Sequence, residues 1–206
     1  MRAAIFYEGE SERNLLDWFF WKCLPGQIVH SNYRDFQTSS GNNDILFFEC
    51  SGCDDVLPTV QKYSFLFKDS KNTGLVVRDL ESLDCYSTST PRKQLLQHCP
   101  MLFQQSHRAT LFARPHLEVL YSADLGLFER VIEAQIKSQG GNASNFQGLI
   151  KSIDWKNPSS SLGSIFRELG LAYRKSQLAE RFFSQFDFSS AQDPYFVRLR
   201  SIFGLP

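Results

Sequence analysis

Two short apolar segments of this chain run straight into carboxylates. Ala3-Ala4-Ile5-Phe6-Tyr7 leads into Glu8-Gly9-Glu10-Ser11-Glu12, and Gly74-Leu75-Val76-Val77 leads into Arg78-Asp79-Leu80-Glu81-Ser82-Leu83-Asp84. If both are strands of one parallel sheet, their acids meet at its C-terminal edge, where open α/β sheets bind ligands. Gly9 lets the backbone bend after Glu8, and Glu12 lies about one turn into the next helix, on the side of Glu8. Asp79 and Glu81 share a face if the extended geometry persists, and Asp84 follows in the loop. Carboxylates gathered this way repel one another unless a cation sits between them. Hard oxygen ligands suit Mg²⁺ or Mn²⁺, and a site of two such ions activates water against a phosphate ester.

The elements that must position these acids alternate. A strand over 2–7 precedes a helix from Ser11, a possible N-cap, to Leu24, with Leu15, Leu16, Phe19 and Phe20 on its apolar face. Pro25-Gly26 ends it. Extended segments at Gln27–Val29 and Asp44–Glu49 flank a polar loop from Thr38 to Asn43. A helix from Asp54 to Phe67 precedes the strand that ends at Asp79, and another spans Pro91 to His98. An extended stretch, Ala109 to Arg114, then leads through Pro115-His116-Leu117-Glu118 into a long helix reaching Ile136. This order predicts an α/β fold, its sheet mainly parallel with flanking helices. Segments 159–170, 176–186 and 194–204 follow as helices with no strand between them. We therefore divide the chain into a sheet domain over 1–137, a flexible loop over 138–148 and a C-terminal helical extension over 149–206, which caps the sheet or docks a partner.

With these motifs in view, the chain resembles the Toprim fold, shared by topoisomerases, bacterial primases and the overcoming-lysogenization-defect (OLD) nucleases. Glu8-Gly9-Glu10-Ser11-Glu12 is similar to the Glu-Gly-x-Thr/Ser-Glu of the nuclease branch. Asp79-Leu80-Glu81 corresponds to the later Asp-x-Asp, with Glu in place of the second Asp. His116-Leu117-Glu118-Val119-Leu120 with Ser122-Ala123-Asp124, Tyr173-Arg174-Lys175, and Asp193-Pro194-Tyr195-Phe196-Val197-Arg198-Leu199 resemble segments of a small Toprim-like family whose members are often encoded beside ABC-type ATPases in bacterial defence loci. The resemblance implies a Toprim-like (Rossmann-like) sheet and a Mg²⁺- or Mn²⁺-dependent nuclease on DNA or RNA. It further implies catalytic Glu8, Asp79 and Glu81, metal ligands Glu8, Glu12, Asp79, Glu81, Asp84 and Glu118, and an ATPase partner.

Composition narrows the field. Twenty-two basic residues balance 22 acidic ones, so no global positive field advertises nucleic-acid binding, and a nucleic-acid substrate needs a local patch or a partner. Nineteen Phe promise an aromatic core, with Trp18-Phe19-Phe20-Trp21 read as core packing. No signal peptide or membrane-spanning run is expected, and five Cys, an odd number, point to a reducing cytoplasm. Cys50-Ser51-Gly52-Cys53 has the gap of a zinc knuckle, but Cys85, His98 and Cys99 form no second pair. Gly-x-Ser-x-Gly and Walker-type loops are absent, so neither a serine nucleophile nor intrinsic ATP hydrolysis is expected. His116 reads as a surface or helix-start residue, and Tyr173-Arg174-Lys175 with Arg181 as a solvated helix face or a phosphate contact.

The main expectation is a metal-dependent phosphodiesterase. Its rival from another class is an adaptor, a degenerate Toprim domain that binds a partner and no metal; the Glu at position 81 and the neutral charge favour it. A nucleotidyl- or phosphate-transferring enzyme using the same metals is the rival within enzymes.

Overall fold

In the computed structural model the described residues are 2–30, 32–39, 41, 43–68, 72–79, 95–100, 108–113, 116–140 and 146–206. Five strands, β1 (Arg2–Tyr7), β2 (Ile28–His30), β3 (Asp44–Glu49), β4 (Asn72–Asp79) and β5 (Arg108–Ala113), form one sheet in the order β2-β3-β1-β4-β5. All four pairings are parallel. The chain leaves β1 toward β2 and β3 and leaves β4 toward β5. The crevice where strand order reverses therefore lies between β1 and β4, and Tyr7 stands level with Val77 there.

The pleat sorts the strand residues into two cores. On one face Ala4, Phe6, Leu46 and Val76 pack against α2 (Tyr33–Thr38), α3 (Cys53–Lys62) and the 3-10 turn Ser64–Lys68. On the other, Ala3, Ile5, Tyr7, Leu75, Val77, Leu111 and Ala113 pack against α1 (Glu10–Cys23). The same core takes in the 3-10 segment Leu117–Asp124, α4 (Leu125–Ser138), α5 (Phe146–Ile150), α6 (Pro158–Glu168), α7 (Lys175–Phe183) and α8 (Pro194–Ile202).

An aromatic block binds α1 to the last helices. Phe19 meets Phe188 edge-on at 5.7 Å, and Phe186 lies 4.6 Å from Phe196. Each such ring removed from water contributes about 1.5–3 kcal/mol, and α1 is latched further by polar contacts. Asn14 donates to the Ser176 carbonyl at 2.9 Å, and the Lys22 ammonium donates to the Phe186 carbonyl at 2.9 Å. The start of α7 is thus held against the N-terminal half of α1, which fixes the side chains at the sheet edge.

Several local expectations are corrected. Gly9, in extended geometry, caps α1, and Ser11 is buried in the first turn. Glu12 is the third helical residue, where a carboxylate can accept the helix's unsatisfied N–H groups. Residues 33–38 form a helix because the Asn32 side chain accepts from the Asp35 N–H, so Thr38 ends a helix and does not open a loop. The long helix expected after Pro115 is broken at Asp124, whose carboxylate accepts from the Leu127 N–H and starts α4 afresh. Phe146–Ile150 is helical, so a helix begins before the expected loop ends at 148. Residues 95–98 are helical, and 91–94 lie outside the described residues. Trp21 is 74% exposed although Phe19 and Phe20 are core.

Candidate metal centre

Asp79 ends β4 two residues beyond Val77 and so continues the face covered by α1 and α7. It is 4% exposed. Its Oδ2 accepts from the Lys175 ammonium at 2.6 Å and lies 3.8 Å from His116 Nδ1, while Oδ1 has no hydrogen-bond partner among the described residues. His116 and Glu118 flank the start of the 3-10 segment after β5. Glu118 is wholly buried. Its Oε1 accepts from Ser159 Oγ at 2.5 Å and from the Tyr173 hydroxyl at 2.8 Å, and its Oε2 is 3.3 Å from the Lys175 ammonium.

One ligand atom from each of Asp79, His116 and Glu118 falls within 4.8 Å of the other two. This donor set fits a divalent cation: two carboxylates and an imidazole converge, and one oxygen of each carboxylate, Asp79 Oδ1 and Glu118 Oε2, is buried without a hydrogen bond among the described residues.

The electrostatics express crowding of negative charge. Burial pushes the Glu12 carboxyl up to about 8, helped by the charge of Asp79 and opposed by that of Lys175. Burial alone would raise Asp79, but His116 and the Lys175 ammonium outweigh it and hold Asp79 below the usual carboxylate range. Asp79 in turn raises His116. Lys175 is raised by Asp79 and Glu118 despite its burial. Burial and the surrounding acids push the hydroxyls of Tyr121 and Tyr195 well up, and neither has a hydrogen-bond partner among the described residues.

Of the acids singled out in the sequence, Glu12, Asp79 and Glu118 interact within this cluster. Glu8 is placed differently. It follows Tyr7, so alternation turns it toward the opposite face, where its Oε2 lies 3.9 Å from Arg78 Nε. Its charge still adds to the rise of Glu12. Glu81 and Asp84 lie outside the described residues.

The sequence reads His116 as a surface or helix-start residue and Lys175 as a solvated helix face or a phosphate contact; His116 does stand at the start of the 3-10 segment, and both side chains pair with Asp79. Sequence reasoning missed Ser159 altogether. The signal for Lys175 was its position at a helix start beside Tyr173, but its target is 96 residues away. The Cys50 thiol, wholly buried at the end of β3, is pushed up to about 11 by burial, which makes it a poor metal ligand at neutral pH.

No family model matches the chain, and no curated protein matches it significantly. Among solved structures it is similar to the C-terminal region of the Burkholderia pseudomallei OLD protein, at 18% identity and a TM-score of 0.54, over 98% of this chain and 96% of that one. The all-parallel sheet with flanking helices and this similarity together establish the architecture: the chain has an α/β, Toprim-like fold similar to that of the OLD protein's C-terminal region.

Proposed function

We propose that this protein is a divalent-metal-dependent phosphodiesterase, a nuclease on DNA or RNA. The observation that carries the reading is the convergence of Asp79, His116 and Glu118 at the sheet edge, with Asp79 Oδ1 buried and unpartnered among the described residues. Asp79 and Glu118 would hold the cation through oxygen, and His116 would supply an imidazole nitrogen. An imidazole in the set favours Mn²⁺ over Mg²⁺. Glu12 is a further acid of the cluster, and Glu8, Glu81 and Asp84 are the other candidate ligands. When bound, such a cation lowers the pKa of a coordinated water toward neutrality and offsets phosphate charge.

Lys175 supplies the chain's own positive charge. Its ammonium neutralises Asp79 and Glu118 as the structure stands, and its side chain is one-third exposed. Once those carboxylates are engaged by another cation, Lys175 is free to pair with a non-bridging oxygen of the scissile phosphate, stabilising the charge that builds there. Arg174, exposed beside it, extends the positive rim. Because positive and negative charges balance over the chain, we place the protein in an assembly whose ATPase partner, as the family resemblance implies, brings it to nucleic acid in a bacterial defence or DNA-processing system.

The test is hydrolysis of labelled single- and double-stranded DNA and RNA with Mn²⁺, Mg²⁺ or chelator, comparing wild type with Asp79→Asn. Metal-dependent cleavage lost in the variant supports the reading; equal cleavage by both would place the chemistry elsewhere. The adaptor reading is favoured by one observation, the neutralisation of Asp79 and Glu118 by Lys175. It requires that the protein take up no Mn²⁺.

A further inference from the structure

Glu118 sits in the wall of the site with no exposure at all, and its two oxygens have different surroundings. Oε1 receives both hydroxyls, from Ser159 in the first turn of α6 and from Tyr173 in the link between α6 and α7. Oε2 receives neither and faces the Lys175 ammonium. Neither hydroxyl is free to wander. The Asn157 carbonyl accepts from the Ser161 N–H at 3.0 Å to open α6, and Pro158, its backbone preset for a helix, occupies the first turn that carries Ser159. The Tyr173 ring packs on Phe166 at 5.2 Å, and its Cδ1 lies 3.9 Å from where a side chain on Gly163 would begin.

We propose that Ser159 and Tyr173 are positioning residues that commit Oε1 of Glu118 and leave Oε2 as its single oxygen presented to a cation. The proposal rests on the reading of Asp79, His116 and Glu118 as a metal centre. Hydrogen bonds from O–H groups to a carboxylate are short and strong, and turning the carboxylate over would break both together. The helices after the sheet thereby set the geometry of a ligand that follows β5. Groups that orient metal ligands in this way typically govern affinity by 10- to 100-fold.

The experiment is calorimetric titration of Mn²⁺ into the full chain as wild type, Ser159→Ala, Tyr173→Phe, the double variant, Ser159→Thr and Asp79→Asn, each checked for a cooperative melt. The double variant is expected to bind at least about tenfold more weakly, and Ser159→Thr, which keeps the hydroxyl, within about threefold of wild type. Wild-type affinity in a folded double variant overturns the positioning role while leaving the metal centre standing, provided Asp79→Asn abolishes binding. If the double variant does not fold, the single variants decide the matter by the same criterion, each losing affinity or not. Absence of Mn²⁺ binding by the wild type overturns both the positioning role and the metal centre.

Discussion

Asp44 and Asp79 are buried aspartates facing a histidine at opposite ends of one parallel sheet, and they differ in how their oxygens are used. Asp44 begins β3. Its Oδ1 meets His30 Nε2 at 2.7 Å and Ser39 Oγ at 2.9 Å, and its Oδ2 meets Ser39 Oγ at 3.0 Å and the Arg2 guanidinium at 3.7 Å. Gly41 approaches so closely that a Cβ there would lie 2.8 Å from Oδ2. Every oxygen is engaged and no second acid takes part in these contacts; Arg2 also ties the cluster to the carbonyls of Phe36 and Ser39. Asp79 keeps Oδ1 without a hydrogen bond among the described residues, with Glu12 and Glu118 interacting nearby. A saturated buried acid holds a fold together. One left unsaturated among other acids invites a cation.

The comparison breaks first on activity. Asp79→Asn should lower metal-dependent hydrolysis by at least about 100-fold while the protein still melts cooperatively, because ligand loss exceeds the 10–100-fold typical of groups behind the ligands. Asp44→Asn should leave per-molecule activity near wild type. An equal loss from Asp44→Asn would erase the distinction.

The next largest effect concerns the counter-ion. Lys175→Met leaves Asp79 and Glu118 without their ammonium, and removing one partner of a buried pair is destabilising. The metal-free variant should melt below wild type, and Mn²⁺ should raise its melting temperature by more than it raises the wild type's. A smaller Mn²⁺ response, read by calorimetry, would mean Lys175 does not compete for the seat.

Asp44→Asn should lower the melting temperature by roughly 5 °C at neutral pH, since it disturbs a buried network in a chain of this size. Burial would raise Asp44, but His30 and Ser39 hold it below the usual range. Its stabilisation is therefore present above the ordinary carboxylate pKa and lost as pH falls through the folded value. The gap between wild type and variant should close in acid; a gap that widened there would contradict the bonding described.

Glu12 carries the opposite sign. Its folded pKa, about 8, lies above its ordinary value of 4.5, so its contribution is fully present below 4.5 and is lost as pH rises toward 8. Relative to Glu12→Gln in chelator, urea denaturation of the wild type should lose stability across that window, by at most about 1.4 kcal/mol per pH unit. A flat difference would remove Glu12 from the acidic cluster.

Much of this arrangement was legible in the chain. Hydrophobic runs with acids behind them located β1 and β4, and strand-helix alternation implied the parallel sheet that brings their ends together. The face on which each acid falls depends on the parity of its position along the strand. Glu8 is one residue past Tyr7 and Asp79 two past Val77, a difference that sends them to opposite faces although the strands are neighbours. The partners of Glu118 were illegible for another reason. Ser159 and Tyr173 reach it across 41 and 55 residues of chain, through packing of α6 and α7 that no local periodicity encodes. Lys175 read as part of a solvated helix face or a phosphate contact because it stands in a basic cluster with Arg174 and Arg181; only docking of α7 on α1 turns its ammonium inward.

The most direct test of the central claim is Mn²⁺ binding followed by electron paramagnetic resonance of the free ion, for wild type and Asp79→Asn under matched conditions. The account predicts that the wild type depletes the free-ion signal with saturable stoichiometry and that the variant leaves it near its protein-free level. Equal depletion by both proteins, or none by the wild type, would contradict a metal centre built on Asp79.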